Sequence, residues 1–221
     1  MIAIAIDGPG GAGKSTMARK VAKELGFIYV DTGALYRAIG LYMVRKGIAT
    51  TDAEAVASHL LEIEVSLAFR GDEQRVLLCG EDVSDAIRAP EISLAASNVS
   101  AVPKVREFLF GLQQDMARKN NVVMDGRDIG TVVLPDAQVK IFLTASPEER
   151  AERRYQELLG KGQAADFTQV LEELKMRDYN DSHRAIAPLV PAQDAVLVDS
   201  TGLAPEQTIA RLLDLIRQNL A

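Results

Sequence analysis

The 221-residue chain has no tryptophan, one cysteine and two histidines. One thiol, Cys79, cannot form an intrachain disulfide, and His59 and His183 are too few for a metal cluster or a catalytic dyad. No uninterrupted apolar run approaches the roughly 18 residues that span a bilayer, and the opening run 1–6 stops at Asp7 with no basic stretch before it. Neither a membrane segment nor a secretion signal is expected, and a reducing cytoplasm is the simplest home. A net charge of −6 argues against retention on nucleic acid by a bulk positive field, so any anionic ligand must be met by local clusters. The expected partners are small molecules, with no nucleic acid and no membrane, and the expected state is a monomer. What is present fits a globular protein: 48% of residues are hydrophobic and 25% charged, enough to form a sizeable core. The 25 basic residues divide into 16 Arg and 9 Lys, which favours bidentate grips on phosphate, although genomic codon bias gives the same excess.

The apolar pattern predicts strands at 2–6, 27–31, 121–125, 139–143 and 195–199, separated by segments with helical spacing. Met17, Val21 and Leu25 mark one helix face, as do Leu35, Ile39, Tyr42 and Met43, and near the end of the chain Ile209, Leu212, Leu213, Ile216 and Leu220. Helices are also expected at about 90–100, at 103–119 opened by Pro103, after Pro147, and at about 166–179. Between Ile63 and Cys79 the period turns to two short β-like runs around the turn 70–74, a hairpin inserted at about 62–84. Strands interleaved with helices imply an α/β fold with a five-stranded, parallel, doubly wound sheet.

Gly8-Pro9-Gly10-Gly11-Ala12-Gly13-Lys14-Ser15 fits G-x-x-x-x-G-K-[ST] and lies between the first strand and the first helix, as a P-loop requires. Glycines let backbone N–H groups converge on phosphate oxygens, and the helix N-terminus adds partial positive charge. Thr16 completes the stretch. Lys14, expected to be exposed, would supply a mobile charge for the β and γ phosphates. Ser15 would ligate Mg²⁺ directly, with Asp7 or Asp125 acting through its water shell. The motif implies a nucleoside triphosphate site and leaves the acceptor open.

A GTP-dependent switch would carry an N-K-x-D guanine reader, and none is found. Instead, anion-directed residues recur at strand ends. Asp31, Thr32 and Arg37 lie in DTGALYR, while Arg127 and Asp128 lie in DGRD beyond a central strand, where open α/β sheets place ligands. On the helix after Pro147, Arg150 and Arg154 form an i,i+4 like-charge pair, which an anion would relieve and which Glu148, Glu149 and Glu152 can equally neutralise. Arg177 and Arg184 follow in MRDYNDSHR, and a mobile arginine-bearing flap over transferring phosphates would need such charges. His59 reads as structural on an apolar-rich helix, His183 as exposed beside the flap arginines, and Cys79 as a small buried hydrophobe.

Taken together, GPGGAGKST, DTGALYR, EDVSDAIR, DGRDIGTVV and RDYNDSHRAIAPL resemble the bacterial cytidylate kinases, over essentially the whole chain. The resemblance implies an adenylate-kinase-like P-loop enzyme that uses ATP and Mg²⁺ to phosphorylate CMP or dCMP. It implies a core of 1–37, 103–146 and 188–221, a monophosphate-binding region at about 38–102 enlarged by the β insertion, and a lid at about 147–187. By position, Ser97, Arg106 and Asp128 match residues that read cytosine; Thr32, Arg37 and Arg127 match those around the acceptor phosphate; Arg177 and Asp181 match residues near its ribose and phosphate. Arg150, Arg153 and Arg154 are the implied lid arginines, with Arg184 nearby, and Lys14, Arg127, Arg154 and Arg184 are the implied catalytic set. Arg153 and Arg154 are expected to crowd together without nucleotide. Thr32 stands where some members have Ser, keeping the hydroxyl. A kinase of UMP, AMP or GMP on the same core, or a nucleotide-binding switch, is the alternative.

Overall fold

The computed structural model describes every residue except Asp72, Lys161 and Ala221. Its principal sheet has five strands, β1 (Ala3–Asp7), β2 (Ile28–Asp31), β6 (Val122–Gly126), β7 (Val139–Thr144) and β8 (Val196–Asp199), in the order β2-β6-β1-β7-β8. The expected α/β class and its five core strands are therefore present. By contact density the chain forms two compact units, one of Phe27–Val122 with Met1, the other of Ile2–Gly26 with Val123–Ala221.

In the unit that holds both chain ends, β1 runs parallel to β7 with Ile4 opposite Val139, and β7 parallel to β8 with Ile141 opposite Val196. Every β1 residue is buried, which explains why the segment reads as an unbroken apolar run rather than an alternation. The helix α1 (Lys14–Leu25) buries Met17, Ala18, Val21 and Ala22 and packs on α8 (Pro205–Leu220), whose Leu212 and Ile216 are fully buried. A second helical pair, α6 (Pro147–Gly160) and α7 (Phe167–His183), has its own small core of Ala151, Val170 and Leu174, with Tyr155 edge-on to Phe167 at 6.1 Å. α7 runs past the expected end at Tyr179, because Ser182 satisfies the Asp178 carbonyl at 2.7 Å and His183 stacks on Tyr179 at 4.0 Å. His183 is exposed there.

In the 27–122 unit, α2 (Thr32–Arg45) turns Leu35, Ile39 and Met43 into a core shared with α4 (Pro90–Ser100) and α5 (Pro103–Lys119). α2 and α4 approach closely at Gly40, where a Cβ would stand 3.0 Å from the Ala96 nitrogen. The expected hairpin is β3 (Val65–Arg70) with β4 (Glu73–Leu78), in register from Val65 opposite Leu78 to Arg70 opposite Glu73, extended by the short β5 (Glu81–Asp82). The expected turn at 70–74 includes Asp72, which lies outside the described residues. The EDVS segment closes this small sheet: Ser84 Oγ donates to Asp82 at 2.6 Å and accepts from the Val76 N–H at 2.9 Å, while Arg75 pairs with Asp82 at 2.9 Å.

The helix expected around His59 is α3 (Ala53–His59), which buries only Val56; Asp52 caps it by accepting from Glu54 and Ala55, and His59 bonds the Ala55 carbonyl at 2.8 Å. One feature differs from the sequence reading. Cys79 is exposed rather than buried, since it occupies the turn after β4 with φ 50°, where its thiol donates to the Glu62 carbonyl at 3.7 Å.

Candidate functional site

The loop between β1 and α1 is shaped as much by its surroundings as by its glycines. Gly8 has φ 147°, and a Cβ there would collide with the Leu143 carbonyl oxygen at the end of β7. Gly11 has φ 73°, and a Cβ there would lie 3.1 Å from Cβ of Arg150. Both positions require glycine for conformation and for space.

Lys14 is not exposed, as expected from sequence, but 5% accessible, because the loop curls back over it and the Pro9 carbonyl accepts from Nζ at 2.7 Å. Burial, and then the neighbouring charge of Arg127, push its ammonium well below the ordinary lysine range, against the pull of Asp125 and Asp7. Ser15 Oγ donates to Asp125 Oδ2 at 2.9 Å, so hydroxyl and carboxylate already share one corner of the loop. These are hard oxygen donors of the kind Mg²⁺ accepts beside phosphate and water, and the donor set fits that ion. Asp7 is engaged with the backbone: both of its oxygens accept N–H groups, from Ile129 at 2.8 Å and Gly130 at 2.7 Å. Burial pushes the Asp7 carboxyl up to about 6, although those two hydrogen bonds pull the other way.

Beyond β6 the expected charges form a connected cluster in the same unit. Arg127 Nε donates to Asp181 Oδ2 at 2.9 Å, and Asp128 faces Arg184 at 3.5 Å. Burial raises the Asp181 carboxyl, but the charges of Arg127 and Arg177 outweigh it, and the group lies below the usual carboxylate range. Arg184 also donates through Nε to the Ala187 carbonyl at 2.6 Å.

The helix α6 corrects two expectations and decides a third that was open. Arg150 is 3% exposed and serves as a brace: Nε donates to Ala145 O at 2.9 Å, one terminal nitrogen to Gly10 O at 2.9 Å, and the other to Asp178 at 2.6 Å. Its i,i+4 repulsion with Arg154 is resolved by protein carboxylates, since Arg154 turns along its own helix to Glu157 at 2.9 Å. Arg153 and Arg154 do not crowd together; Arg153 binds Glu149 at 2.7 Å and reaches the Ala12 carbonyl at 3.5 Å, at the rim of the loop.

The 27–122 unit holds the other expected residues. Asp31 caps α2 by accepting from the Ala34 N–H at 3.0 Å, and Thr32 behind it is buried. Arg37 is half-buried, with a terminal nitrogen 4.0 Å from where a Cβ on Gly33 would lie. Arg106 sits over the Tyr36 ring at 5.6 Å and donates to the Ser100 carbonyl at 3.2 Å; Ser97 lies one turn earlier on α4. Sequence reasoning missed Gln74, whose amide accepts from Asp31 N–H at 2.9 Å and donates to Asp31 O at 3.3 Å, and it missed Tyr36 and Asp178. Gln74 looked like turn material; only its β4 register reveals it.

The family model described as cytidylate kinase matches residues 4–218. The chain belongs to the cytidylate kinase family. The cytidylate kinase of Caldanaerobacter subterraneus subsp. tengcongensis is 53% identical over 218 residues, covering 99% of this chain and 96% of that protein. Those of Caldicellulosiruptor saccharolyticus and Mycobacterium leprae are each 50% identical, over 214 and 218 residues, covering 97% and 98% of this chain and 95% and 96% of theirs. A solved structure described as an uncharacterized protein from Eubacterium ventriosum superposes with a TM-score of 0.54 at 12% identity, covering 98% of this chain and 99% of that one, which speaks for the fold alone. Cytidylate kinase membership makes the chain a nucleotide-binding phosphotransferase of the P-loop class. Among the described residues no helix is long and apolar enough to cross a membrane.

Proposed function

We propose that this chain transfers the γ-phosphoryl group of ATP to CMP or dCMP, giving ADP and CDP or dCDP, as a monomer in the cytoplasm. The observation that carries the reading is the family match over 4–218, joined to a phosphate loop whose Lys14 and Ser15 adjoin a buried cluster of Arg127, Asp128, Asp181 and Arg184.

In-line phosphoryl transfer asks for positioning and charge neutralisation more than covalent help. The acceptor is a phosphate oxygen, already anionic near neutral pH, so no general base is assigned. Gly8 through Thr16 hold the triphosphate, and Lys14 exchanges the Pro9 carbonyl for phosphate oxygens, which favour its charged form. Ser15, with Asp125 through water, would hold Mg²⁺, which supplies charge neutralisation on the phosphates when bound. Arg127, released in part from Asp181, and Arg184 meet the transferring group, while Thr32 and Arg37 hold the acceptor phosphate and Arg177 and Asp181 its phosphate and ribose. Residues 147–187 act as a lid that excludes water, with Arg153 and Arg154 leaving Glu149 and Glu157 for phosphate on closure. Unchanged hydrogen exchange across 147–187 on binding a bisubstrate analogue would remove that assignment.

Cytosine presents an amino donor at C4 and acceptors at N3 and O2. Ionised Asp128 can only accept and Arg106 can only donate, which matches cytosine and mismatches uracil, while Ser97 can do either. A coupled assay with ATP against CMP, dCMP, UMP, AMP and GMP tests the reading: CMP and dCMP are expected to lead, and a preference for any of the other three overturns it.

A further inference from the structure

Asp7, to which the mechanism above gives no part, joins the phosphate loop to the Arg127–Asp128 corner. It ends β1 immediately before Gly8, is 4% exposed, and divides its oxygens between two consecutive amides, those of Ile129 and Gly130. These amides open a five-residue π-turn, Ile129–Val133, whose later N–H groups close on the Asp128 carbonyl from Val132 at 2.9 Å and Val133 at 3.2 Å. The first amides of a helical turn have no partner within it, and an aspartate at the N-cap position ordinarily supplies one from its own side chain. Asp128 occupies that position yet its side chain makes no capping bond, and its carboxylate faces Arg184. The capping task has passed to a residue 122 positions earlier in the chain.

We infer that Asp7 is a positioning residue for acceptor recognition: by capping the π-turn in place of Asp128, it fixes the peptide that follows Asp128 and leaves that carboxylate to be directed at the nucleobase. The inference rests on the reading of Asp128 as a cytosine acceptor. The turn is held from the other side as well. A Cβ on Gly130 would stand 3.2 Å from Lys140 Cδ and 3.4 Å from Asp7 Oδ2, and Lys140 is itself anchored to Asp194 at 2.8 Å. In Asp7→Asn the amide oxygen can keep one of the two N–H groups and the other loses its acceptor; Asp128, at the N-cap position of the same turn, is then free to supply one and would be drawn off the base.

The test compares kcat/KM for CMP and UMP, and KM for ATP, in Asp7→Asn, Asp128→Ala and the double variant. Asp7→Asn is expected to narrow the CMP-over-UMP ratio by roughly tenfold, the scale of one displaced hydrogen bond to a charged group, with KM for ATP unchanged. Because both changes act on one carboxylate, the double variant should be no less selective than Asp128→Ala alone. Should Asp7→Asn fail to fold, Gly130→Ala displaces the same turn from the Lys140 side and carries the same expectation. Equal losses with CMP and UMP, or effects of the two changes that multiply, would overturn the positioning role while leaving Asp128 as base reader. An unchanged ratio in Asp128→Ala would overturn that reading and the inference with it.

Discussion

The phosphate loop and the α2 entrance differ in how deeply their polar side chains are buried. Around the loop, Lys14, Asp7, Arg150 and Asp181 are all buried, and each spends its polar atoms on named partners within the same unit. At the α2 entrance the backbone is fixed, through Asp31 and Gln74, but Arg37 and Ser97 remain half-buried and Arg106 lies over the Tyr36 ring. A buried, interlocked site costs little reorganisation when charge develops, whereas a loosely held one can adjust to its ligand. The first arrangement suits the invariant chemistry of phosphates, the second the discrimination of an acceptor.

The largest expected effect breaks the interlocked side. Arg150→Met removes three donors and leaves Asp178 without its guanidinium partner, so stability should fall by about 3 kcal/mol, the scale of breaking a buried ion pair. That corresponds to a melting temperature lower by roughly 6–12 °C for a chain of this size, with the residual activity of the folded fraction showing a raised KM for ATP. An unchanged melting temperature would mean that the brace is ornamental.

Next comes Lys14→Ala, expected to lower kcat by roughly a hundredfold or more with the fold intact, because its charge acts on the transition state. Since burial disfavours that charge in the free protein, melting should stay constant or rise. Retention of more than about a tenth of kcat contradicts the role.

Asp7 sharpens the comparison through pH. Its carboxyl is raised by burial from 3.8 to about 6, so between about pH 4 and pH 6 the folded state keeps a proton that the unfolded chain has lost, and stability falls as pH rises through that window. Asp181, lowered by Arg127 and Arg177, has the opposite sign and loses its contribution as pH falls. Denaturation of wild type and Asp7→Asn at pH 4 and pH 7 should therefore show the gap between them shifting in favour of the variant by about 3 kcal/mol or less at the higher pH. A gap independent of pH contradicts this.

The smallest effect belongs to the looser side. Gln74→Ala removes two hydrogen bonds to the Asp31 backbone and should cost about 1–2 kcal/mol of stability, raising KM for CMP without changing KM for ATP. Equal changes in both constants would show that Gln74 supports the fold generally.

What sequence disclosed followed the same division. The phosphate loop was legible because eight consecutive residues define its chemistry, and the hairpin because period 2 survives in β3 and β4. The burial of Lys14, the brace at Arg150 and the cap from Asp7 were not, since each depends on a carbonyl, carboxylate or amide brought close by the fold. Arg150 and Arg154 look alike along the chain; one is buried on the Gly10 carbonyl and the other lies along its helix. Nothing in their spacing separates them. Cys79 misled for a related reason, because an apolar side chain at the end of an apolar run looks buried until the run turns.

The exposed thiol in that turn has an experimental consequence. A maleimide dye or spin label would attach at Cys79 alone, with no cysteine to remove first. Because the chain has no tryptophan, an indole introduced elsewhere would be its only one and could serve as donor to that dye. Distances measured between the two during turnover would report motion in solution from a protein altered at a single residue.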